Sequence, residues 1–319
     1  MKQATVRLLL YLRRHGKAGR TTAQIARAVG IPRERVTGEV TTLSNAGFPV
    51  KTHRGGRWSL GAGGPLAAEE IRDGLATDLF GRRVIVLDET TSTQDVAREE
   101  AARSSRSGTV VFAEKQTRGR GRLHRDWQSA PGKDLTFSVV LRAPHHELNP
   151  TMLTVTTSVA VCETIVEALN LPARIRWPND IILAERKIAG ILVERTQPRR
   201  HPPAFLLGVG VNVNSRPRLK TATSLAEVTG REIDRAWLAR ELLRSLDGWF
   251  EEARRGHTEL VGNHWRRFSS TLGTRVTIVR GGHRFTGRAV DISHSLGLTL
   301  ELDDGLTMTF RGEQVTLVQ

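Results

Sequence analysis

Residues 173–196 read ARIRWPNDIILAERKIAGILVERT, and residues 205–214 read FLLGVGVNVN. Both stretches are rich in β-branched and aliphatic residues and are bounded by turn-forming residues, so they predict short strands. Residues 151–169, TMLTVTTSVAVCETIVEAL, predict one long helix that ends at Asn170. The middle of the chain therefore combines a long helix with several strands.

Further strands and helices are predicted on both sides of this region. Upstream, RRVIVLDET (82–90), SGTVVFAEKQ (107–116) and DLTFSVVLRAP (134–144) look like strands bounded by turn residues. Downstream, residues 231–256 predict one or two amphipathic helices, and the chain after residue 271 predicts short strands with frequent turns. This last segment has the size of a small SH3-like β-barrel.

The first sixty residues are strongly basic. They hold 12 Lys and Arg residues against two acids, Glu34 and Glu39, which leaves +10 of the net charge of +15 carried by the whole chain. A local excess of this size is typical of a nucleic-acid-binding domain. The alternative is a general enrichment in arginine, which would not concentrate the charge in one segment.

A helix-turn-helix is predicted in this basic segment. A helix over residues 5–15 is followed by TTAQIARAVG, which Thr21 or Thr22 can cap and Gly30 ends, and by IPRERVTGEVTTLSNAG, where Pro32 suits the first turn. The glycines of FPVKTHRGGRWSL predict a hairpin after the helices, which makes a winged helix-turn-helix. A three-helix protein-interaction module is the alternative. The residues predicted to contact DNA are Arg33, Arg35, Thr37, Thr41, Arg54 and Arg57.

The composition favours a cytoplasmic protein without a membrane segment. Apolar runs stay below about 18 residues, the length of a membrane-spanning helix, and arginines interrupt the short apolar patch at the N-terminus, which argues against a signal peptide. The single cysteine, Cys162, excludes an internal disulfide and a multi-cysteine metal site. Because the ten histidines are scattered, no metal site is predicted.

Residues 116–127, QTRGRGRLHRDW, concentrate four arginines on a backbone that contains two glycines. Glycine lets the backbone approach a ligand closely, and arginine supplies forked, permanently charged donors for phosphate or carboxylate. The chain contains no GxxxxGK[ST] motif, so this stretch is not a P-loop. An anion-binding loop is predicted, with a solvated RNA-binding or structural loop as the alternative.

Several further motifs occur in a fixed order: TTSTQ (90–94), the arginine-glycine loop, RWPND (176–180), KIAGILVE (187–194), GVGVNVN (208–214) and TATSL (221–225). This set, in this order and spacing, resembles the bifunctional biotin protein ligases that double as biotin operon repressors. The resemblance covers essentially the whole chain. It implies that ATP and biotin give biotinoyl-5′-AMP and pyrophosphate, and that biotin then passes to one lysine of a biotin carboxyl-carrier protein, as in acetyl-CoA carboxylase.

The resemblance gives the predicted domains their names. The expected fold is α+β and multidomain, with a winged helix-turn-helix DNA-binding domain (1–62) and a linker with a short helix (63–80). A mixed-sheet catalytic domain of the biotin/lipoate ligase type, similar to class II synthetases, follows (81–270), and an SH3-like barrel ends the chain (271–319).

The resemblance also implies a role for individual residues. The residues expected to bind biotin are Ser92, Thr93, Gln94, Gln116, Arg120, Gly121, Arg122 and Lys187. Those expected to contact ATP or the adenylate are Arg120, Arg122, Arg176, Lys187 and Asn212. Those expected to act in catalysis are Lys187, Arg120, Arg122 and Asp180.

The chemistry of adenylation agrees with these roles. The step brings a carboxylate against the α-phosphate of ATP, so preorganised cations should lower the barrier, and Mg²⁺ would shield the departing pyrophosphate. In the transfer step the carrier lysine must be neutral, and Asp180 could orient or deprotonate it. The alternative for Asp180 is a buried structural carboxylate that holds the turn. Trp127 and Trp177 are expected to pack rather than to take part in the chemistry.

Two positions depart from the family pattern. Arg176 stands where the family usually has lysine, which replaces a point charge by a planar fork. His124 stands where the family has glycine, and histidine tolerates a positive φ less well. We expect residues 118–125 to become ordered when ligand binds, because clustered like charges and glycine favour disorder without it. In the last segment, Arg311 and Glu313 are candidates to reach the active site or the carrier, with plain surface charge as the alternative.

Other functions remain compatible with the sequence: a ligase whose winged helix no longer binds DNA, a lipoate or octanoate ligase of the same catalytic fold, and a ligand-sensing transcription factor without turnover. In the repressor hypothesis, the adenylate-bound protein forms a homodimer and each winged helix binds one half of a palindromic operator DNA.

Overall fold

A computed structural model describes residues 1–15, 18–61, 63–142, 149–293, 297–312 and 316–318. Its N-terminal unit contains three helices and a three-stranded antiparallel sheet in the order β1-β3-β2. The elements are α1 (Gln3–His15), β1 (Arg20–Thr21), α2 (Thr22–Val29), α3 (Arg33–Asn45), β2 (Val50–His53) and β3 (Arg57–Leu60). This is the predicted sequence of helices followed by a hairpin.

Local signals set the helix ends in this unit. Thr21 caps α2 in a capping box with Gln24, and Gly30 ends the helix with a left-handed φ of 70°. Pro32 is the N-cap of α3 rather than a residue of its first turn. The buried faces of the helices form a core of their own that includes Leu9, Ile25, Val36 and Leu43, so the unit has its own packing.

A seven-stranded mixed sheet forms the centre of the molecule. Its order is β4-β5-β6-β10-β9-β8-β7, with β4 parallel to β5 and every other neighbouring pair antiparallel. The strands are β4 (Arg83–Thr90), β5 (Thr109–Gln116), β6 (Leu135–Leu141), β7 (Arg174–Arg176), β8 (Asp180–Leu183), β9 (Arg186–Thr196) and β10 (Ala204–Val211). The strands predicted from the motif region are all present.

Helices cover both faces of this sheet. They are α4 (Ala68–Arg72), α5 (Thr93–Arg103), α6 (Pro150–Leu169), α7 (Leu225–Thr229), α8 (Arg235–Arg254) and α9 (Thr258–Phe268). The long helix α6 packs with α8 and α9 on the main core, while α5 covers the other face through Ala97 and Ala101. The sequence prediction missed α5, α7 and α9.

Helix α6 needs a separate comment because of its length and composition. It is the one helix in the described ranges that is long and apolar enough to cross a membrane. It is also 72% buried inside the protein, and Cys162 lies in its buried part. Its apolar character is thus used by the core of the protein.

A five-stranded antiparallel sheet forms the C-terminal unit, in the order β14-β13-β12-β11-β15. Its strands are β11 (Arg275–Arg280), β12 (His283–Ser293), β13 (Gly297–Leu302), β14 (Thr307–Phe310) and β15 (Thr316–Val318). Its buried residues Ile278, Leu300 and Phe310 belong to the same core as the central sheet. The all-β character predicted for the last segment is therefore confirmed.

Two arginines, the partly exposed Arg13 and the buried Arg235, tie the N-terminal unit to the centre. The Arg13 guanidinium donates to the carbonyl oxygens of Gly61 and Gly63, at 2.7 and 2.6 Å, and pairs with Glu70. Arg235, which is 3% exposed, donates to the Gly64 carbonyl at 2.9 Å and pairs with Glu114 of β5 at 2.7 Å. The segment between the two units is thus fixed by charged hydrogen bonds on both sides.

One glycine packs so closely that no side chain fits. Gly108 has φ +87°, and a Cβ there would collide with the carbonyl oxygen of Leu79. We expect Gly108→Ala to lower the free energy of unfolding by about 3 to 4 kcal/mol, since backbone strain and a steric clash add. Gly256 has a similar φ of +83° but no described atom within 4 Å of the added Cβ. Gly256→Ala should therefore cost about 1 to 2 kcal/mol, the strain alone. Urea denaturation measures both, and equal losses would contradict the clash.

Candidate functional site

A cavity of about 460 Å³ lies on the sheet. Its floor is formed by β9 and β10, and its sides by the start of α5, the loop at 120–127 and the turn at 176–180. These are the segments that carry the motifs quoted from the sequence. The fold therefore brings most of the predicted site residues to one place, although they are separated by up to about a hundred residues in the chain.

One end of the cavity, here called the Ser92 end, is rich in uncharged hydrogen-bonding groups. Ser92 is the N-cap of α5, and Ser92, Thr93 and Gln94 are all buried. The Thr93 amide donates to Gln116 Oε1 at 2.8 Å, and its hydroxyl lies 2.8 Å from Ser138 Oγ. The predicted quartet of Ser92, Thr93, Gln94 and Gln116 is therefore one cluster.

Gln94 has a buried side-chain oxygen that the described residues leave without a hydrogen-bond donor. Its Nε2 donates to the carbonyl oxygens of Leu192 and Leu206, at 3.2 and 3.4 Å. Its Oε1 is buried and has no hydrogen-bond partner within the described residues. A buried acceptor without a partner costs about 1 to 3 kcal/mol, so a ligand N–H at this position would be stabilised.

The opposite end, here called the Lys187 end, is charged. The Lys187 ammonium lies 2.6 Å from Asp180 Oδ1, and Arg176 lies 3.5 Å from the other carboxylate oxygen. Asp180 is 23% exposed. It is therefore partly exposed and shared by two predicted ligand-binding cations, and its assignment to catalysis rather than to holding the turn stays a prediction.

The turn that carries Asp180 is fixed by two hydrogen bonds to β9. Asn179 Nδ2 donates to the Ile191 carbonyl at 2.7 Å, and the Ile191 amide donates to the Asn179 carbonyl at 3.0 Å. Trp177 is buried in the main core, as expected for a packing residue. The Trp177–Pro178 peptide bond is cis. Core packing and β9 together place Asp180 at the cavity.

The arginine-glycine loop is folded back over the cavity. Gly121 N donates to the Arg125 carbonyl at 2.7 Å, and Trp127 N donates to the Gly119 carbonyl at 2.9 Å. Arg120 pairs with Asp95 at 2.8 Å. Arg122 donates to Asn179 Oδ1 at 3.0 Å and also to the Gly312 carbonyl.

A positive φ occurs in this loop at Leu123, where φ is 53°. The side chain of His124 lies outside the described residues, so its departure from glycine stays unexplained. Glu313 also lies outside them, whereas the neighbouring Gly312 carbonyl reaches Arg122. The C-terminal unit thus contacts the site through its backbone.

Two facing glycines shape the floor, and Trp127 covers them. Gly190 of β9 and Gly210 of β10 are cross-strand partners. A Cβ on Gly190 would lie 3.1 Å from the Trp127 ring, and one on Gly210 would collide with it. Lys187 Nζ lies 5.5 Å from the centre of the same ring. Trp127 packs on the floor, as expected, and is also part of the cavity wall. The alternating glycines of GVGVNV were the available signal for that second role.

Asn212 takes a different position from the other predicted site residues. It is 6% exposed, does not line the cavity, and donates from Nδ2 to the Thr223 carbonyl at 3.0 Å. Its amide thereby holds the TATSL segment, whose Thr221 and Ala222 line the Lys187 end. A contact of Asn212 with nucleotide remains a prediction.

The six predicted DNA-contacting residues are far from this cavity in the chain and are all exposed. They lie on α3 and on the β2–β3 hairpin. Arg35 pairs with Glu39 of the same helix at 3.1 Å, and the Thr41 hydroxyl donates to the Thr37 carbonyl. Helix α3 and the hairpin thus carry the exposed arginines and threonines that the sequence assigned to DNA.

The described residues contain no group of three or more His, Cys, Asp or Glu side chains that could hold a metal ion. Burial raises the pKa of the Cys162 thiol to about 12, so this cysteine is not a thiolate ligand or nucleophile at neutral pH.

Known proteins resemble this chain in sequence and in fold. Residues 86–212 match the profile of the biotin/lipoate A/B protein ligase family. The bifunctional ligase/repressor BirA of Bacillus subtilis is 32% identical over 298 residues, which cover 91% of each chain. The biotin–[acetyl-CoA-carboxylase] ligase of Mycobacterium tuberculosis is 31% identical over 262 residues, 79% of this chain and 96% of that protein.

A solved structure agrees with these sequence relatives. The biotin protein ligase of Aquifex aeolicus, in complex with biotin and ATP, superposes with a TM-score of 0.66 at 27% identity, covering 75% of this chain and 99% of that one. Sequence similarity over nine tenths of the chain and similarity of fold point to the same group of enzymes. The chain therefore belongs to the biotin/lipoate A/B protein ligase family, as a member of its biotin protein ligases.

Proposed function

We propose that this biotin protein ligase uses ATP to convert biotin to biotinoyl-5′-AMP and transfers the biotinoyl group to a lysine of a biotin carboxyl-carrier protein, such as that of acetyl-CoA carboxylase. The observation that carries the proposal is that one cavity has a cluster of uncharged hydrogen-bonding groups at its Ser92 end and a group of cations around Asp180 at its Lys187 end. Biotin has a matching pair of ends, with a neutral ureido ring at one and a carboxylate at the other.

The Ser92 end suits the ureido group. That group presents two N–H donors and one carbonyl acceptor, so it needs acceptors and donors together. Ser92 and Thr93 supply hydroxyls, and Gln94 supplies the buried oxygen that has no partner in the described part of the chain. Trp127 lies on the floor at Gly190 and Gly210, with its ring 5.5 Å from Lys187 Nζ, and gives the aliphatic tail an apolar wall on the way to that lysine.

The Lys187 end suits the reacting anions. The biotin carboxylate oxygen attacks the α-phosphorus of ATP, and the bond to pyrophosphate breaks. Lys187 and Arg122 are held in place by Asp180 and Asn179 before any ligand arrives. Such preorganised cations stabilise the charge that develops on the α-phosphate without a cost of reorganisation. Arg176 is placed beside them for the nucleotide.

Transfer to the carrier uses the same end. The neutral amine of the carrier lysine attacks the carbonyl carbon of the mixed anhydride, AMP leaves, and the amine loses a proton. Asp180 is the carboxylate at hydrogen-bond distance from Lys187, and it is partly exposed, so an incoming lysine can reach it. We assign it to orienting that lysine and accepting its proton.

Mg²⁺ fits this site as part of the nucleotide. Magnesium is usually held by substrate phosphates, one or two carboxylates and water rather than by a closed protein cage. The cationic Lys187 end offers Asp180 as a carboxylate, and no larger acidic cluster is present among the described residues. Magnesium bound to the triphosphate would shield the charge of the departing pyrophosphate.

The N-terminal unit supports a second activity. Three helices followed by a hairpin, with exposed Arg and Thr on α3 and on the hairpin, suit a winged helix-turn-helix that binds operator DNA. The Bacillus subtilis relative is named as a ligase and a repressor. We infer a biotin operon repressor that binds as a ligand-dependent homodimer. A repressor must share a compartment with the genome, which places the protein in the cytoplasm. The C-terminal sheet is assigned to an SH3-like barrel.

The alternatives predict different products. Purified protein with MgATP, biotin or lipoate, and a carrier domain is analysed by mass spectrometry. Biotinoyl-AMP followed by a biotin-sized mass gain on the carrier supports the proposal. Turnover with lipoate alone would move the protein to the lipoate ligases, and adenylate without transfer would favour a ligand sensor.

Lys187 separates catalysis from DNA binding. We expect Lys187→Ala to slow biotinoyl-AMP formation by about 10² to 10³, because a preorganised charge at the α-phosphate is lost. Binding to operator-like DNA should persist in gel shifts, since Lys187 lies in the central sheet. Lys115→Ala is the control, because that lysine is exposed on β5 and pairs with Glu89. Normal adenylate formation by Lys187→Ala would contradict the assignment.

The hairpin arginines should control the salt dependence of DNA binding. The double variant Arg54→Gln, Arg57→Gln should bind an operator-like duplex more weakly, and the slope of log affinity against log salt should fall by about 2, roughly one for each lost phosphate contact. Arg284→Gln, an exposed arginine of the C-terminal sheet, is the control. If wild type shows no salt-dependent shift, the winged helix no longer binds DNA and the chain is a ligase only.

A further inference from the structure

The two loop arginines assigned to the ligand are held at different ends of the cavity. Arg120 Nη2 lies 2.8 Å from Asp95 Oδ1 and 3.8 Å from Glu194 Oε2. Arg122, only two residues further on, donates to Asn179 and to the Gly312 carbonyl. A shared role at the α-phosphate does not explain why the fold supplies two separate sets of partners.

The positions of their partners along β9 show how far apart Arg120 and Lys187 lie. Lys187 Nζ lies beside Gly190, whose cross-strand partner on β8 is Asp180. Glu194, near Arg120, is four residues further along β9, which corresponds to about 13 Å at the usual rise of a strand. Arg120 therefore lies towards the Ser92 end, whereas Arg122 lies with the residues of the Lys187 end.

Asp95 is the residue that fixes Arg120 there. It follows Gln94 directly in the first turn of α5, and it stands behind Arg120 rather than in the cavity wall. The Thr91 hydroxyl donates to Asp95 Oδ2 at 2.9 Å, which orients the carboxylate. The groups that face Asp95 are thus the Arg120 guanidinium from the loop, Thr91, and Arg98 at 3.8 Å, with Glu194 of β9 sharing both arginines.

The carboxylate is charged at neutral pH. The hydrogen bond from Arg120 lowers the pKa of Asp95, with smaller contributions in the same direction from Thr91 and Arg98. The same pair raises the pKa of Arg120. Protonation of Asp95 therefore does not release Arg120 in the range where the enzyme would work.

We propose that Asp95 is a positioning residue that holds Arg120 over the Ser92 end, so that Arg120 closes the cavity over the biotin ring system while Arg122 and Lys187 act on the α-phosphate. The inference rests on the proposed function, because it assigns the ring of biotin to the Ser92 end. The sequence suggests that Arg120 and Arg122 both bind biotin and the adenylate. The proposal instead assigns Arg120 to the biotin ring and Arg122 to the α-phosphate. It also gives Asp95, which does not line the cavity, a measurable effect on one substrate only.

The test separates the two substrates. Asp95→Asn keeps the shape of the side chain and removes its charge. We expect the Kd of biotin, measured by calorimetry without ATP, and the KM of biotin in adenylate formation to rise about fivefold, the effect of one partly exposed charged hydrogen bond. The KM of ATP and kcat should change by less than about twofold, because uniform binding of biotin alone is weakened.

A matched control removes the effect of charge alone. Glu89→Gln also deletes one carboxylate, from an exposed position on β4 that pairs with Lys115, and it should leave all four constants unchanged. Asp95→Glu should restore much of the affinity for biotin if the charge on Arg120 is what matters.

A double-mutant cycle distinguishes positioning from a simple effect on α5, where a carboxylate in the first turn also favours the helix. In an Arg120→Gln background, Asp95→Asn should cause no further loss of biotin affinity. A full additional loss, or a change confined to kcat and the KM of ATP, would overturn the inference. Wild type that binds no biotin would instead defeat the proposed function, so the two failures are distinct.

Discussion

The ion pair between Lys187 and Asp180, 2.6 Å apart, depends on the register of two strands and sets the character of the site. The pairing of β8 with β9 places Asp180 opposite Gly190, and the Lys187 side chain reaches the same position along its own strand. A cation that must meet two anionic substrates would be costly to hold without a counter-charge. The pair holds the Lys187 ammonium in one direction, and an anionic ligand then competes with the carboxylate for it. The same carboxylate is in place when a carrier lysine arrives, so one pair serves both steps of the proposed reaction.

The shape of the rest of the cavity depends on two glycines of the central sheet, which present no side chain to it. Gly190 and Gly210 face each other across β9 and β10 under the indole of Trp127. A Cβ on Gly210 would collide with the ring, and one on Gly190 would lie 3.1 Å from it. The ring therefore closes the cavity from the loop side while the strands form its floor. A methyl group on Gly210 would displace Trp127 and with it the loop that carries Arg120 and Arg122. The absence of a side chain on the floor is therefore needed to keep Arg120 and Arg122 in position.

Local signals were readable from the sequence, and contacts between distant segments were not. The helix α2 was predictable because Thr21 and Gly30 mark its ends, and α6 because its apolar run ends at an Asn with left-handed backbone. Helix α5 was missed because its buried face is made of alanines, which give little hydrophobic periodicity. The clustering of Ser92, Thr93, Gln94 and Gln116 followed from the resemblance to a family, not from periodicity. Trp127 could not be placed, because nothing local to it indicates the two glycines of other strands that it covers. Asn212 is the opposite case, because its motif was recognised from the sequence but the contact of its side chain was not. In the structure its amide donates to the Thr223 carbonyl.

The link between the N-terminal unit and the catalytic sheet also depends on charge, and it shares a strand with the site. Glu114 and Gln116 lie on β5 two residues apart, so their side chains are on the same side of the strand. Glu114 pairs with the buried Arg235, which also holds the Gly64 carbonyl of the connecting segment, while Gln116 accepts from Thr93 at the Ser92 end. On the other side of the segment, Arg13 of α1 holds Gly61 and Gly63. A displacement of β5 would therefore move groups at the cavity and groups that hold the segment between the N-terminal unit and the central sheet. Helix α3 and the hairpin, proposed to bind DNA, are thus linked through β5 to the proposed biotin site. This link would give the proposed repressor a physical connection between its two activities.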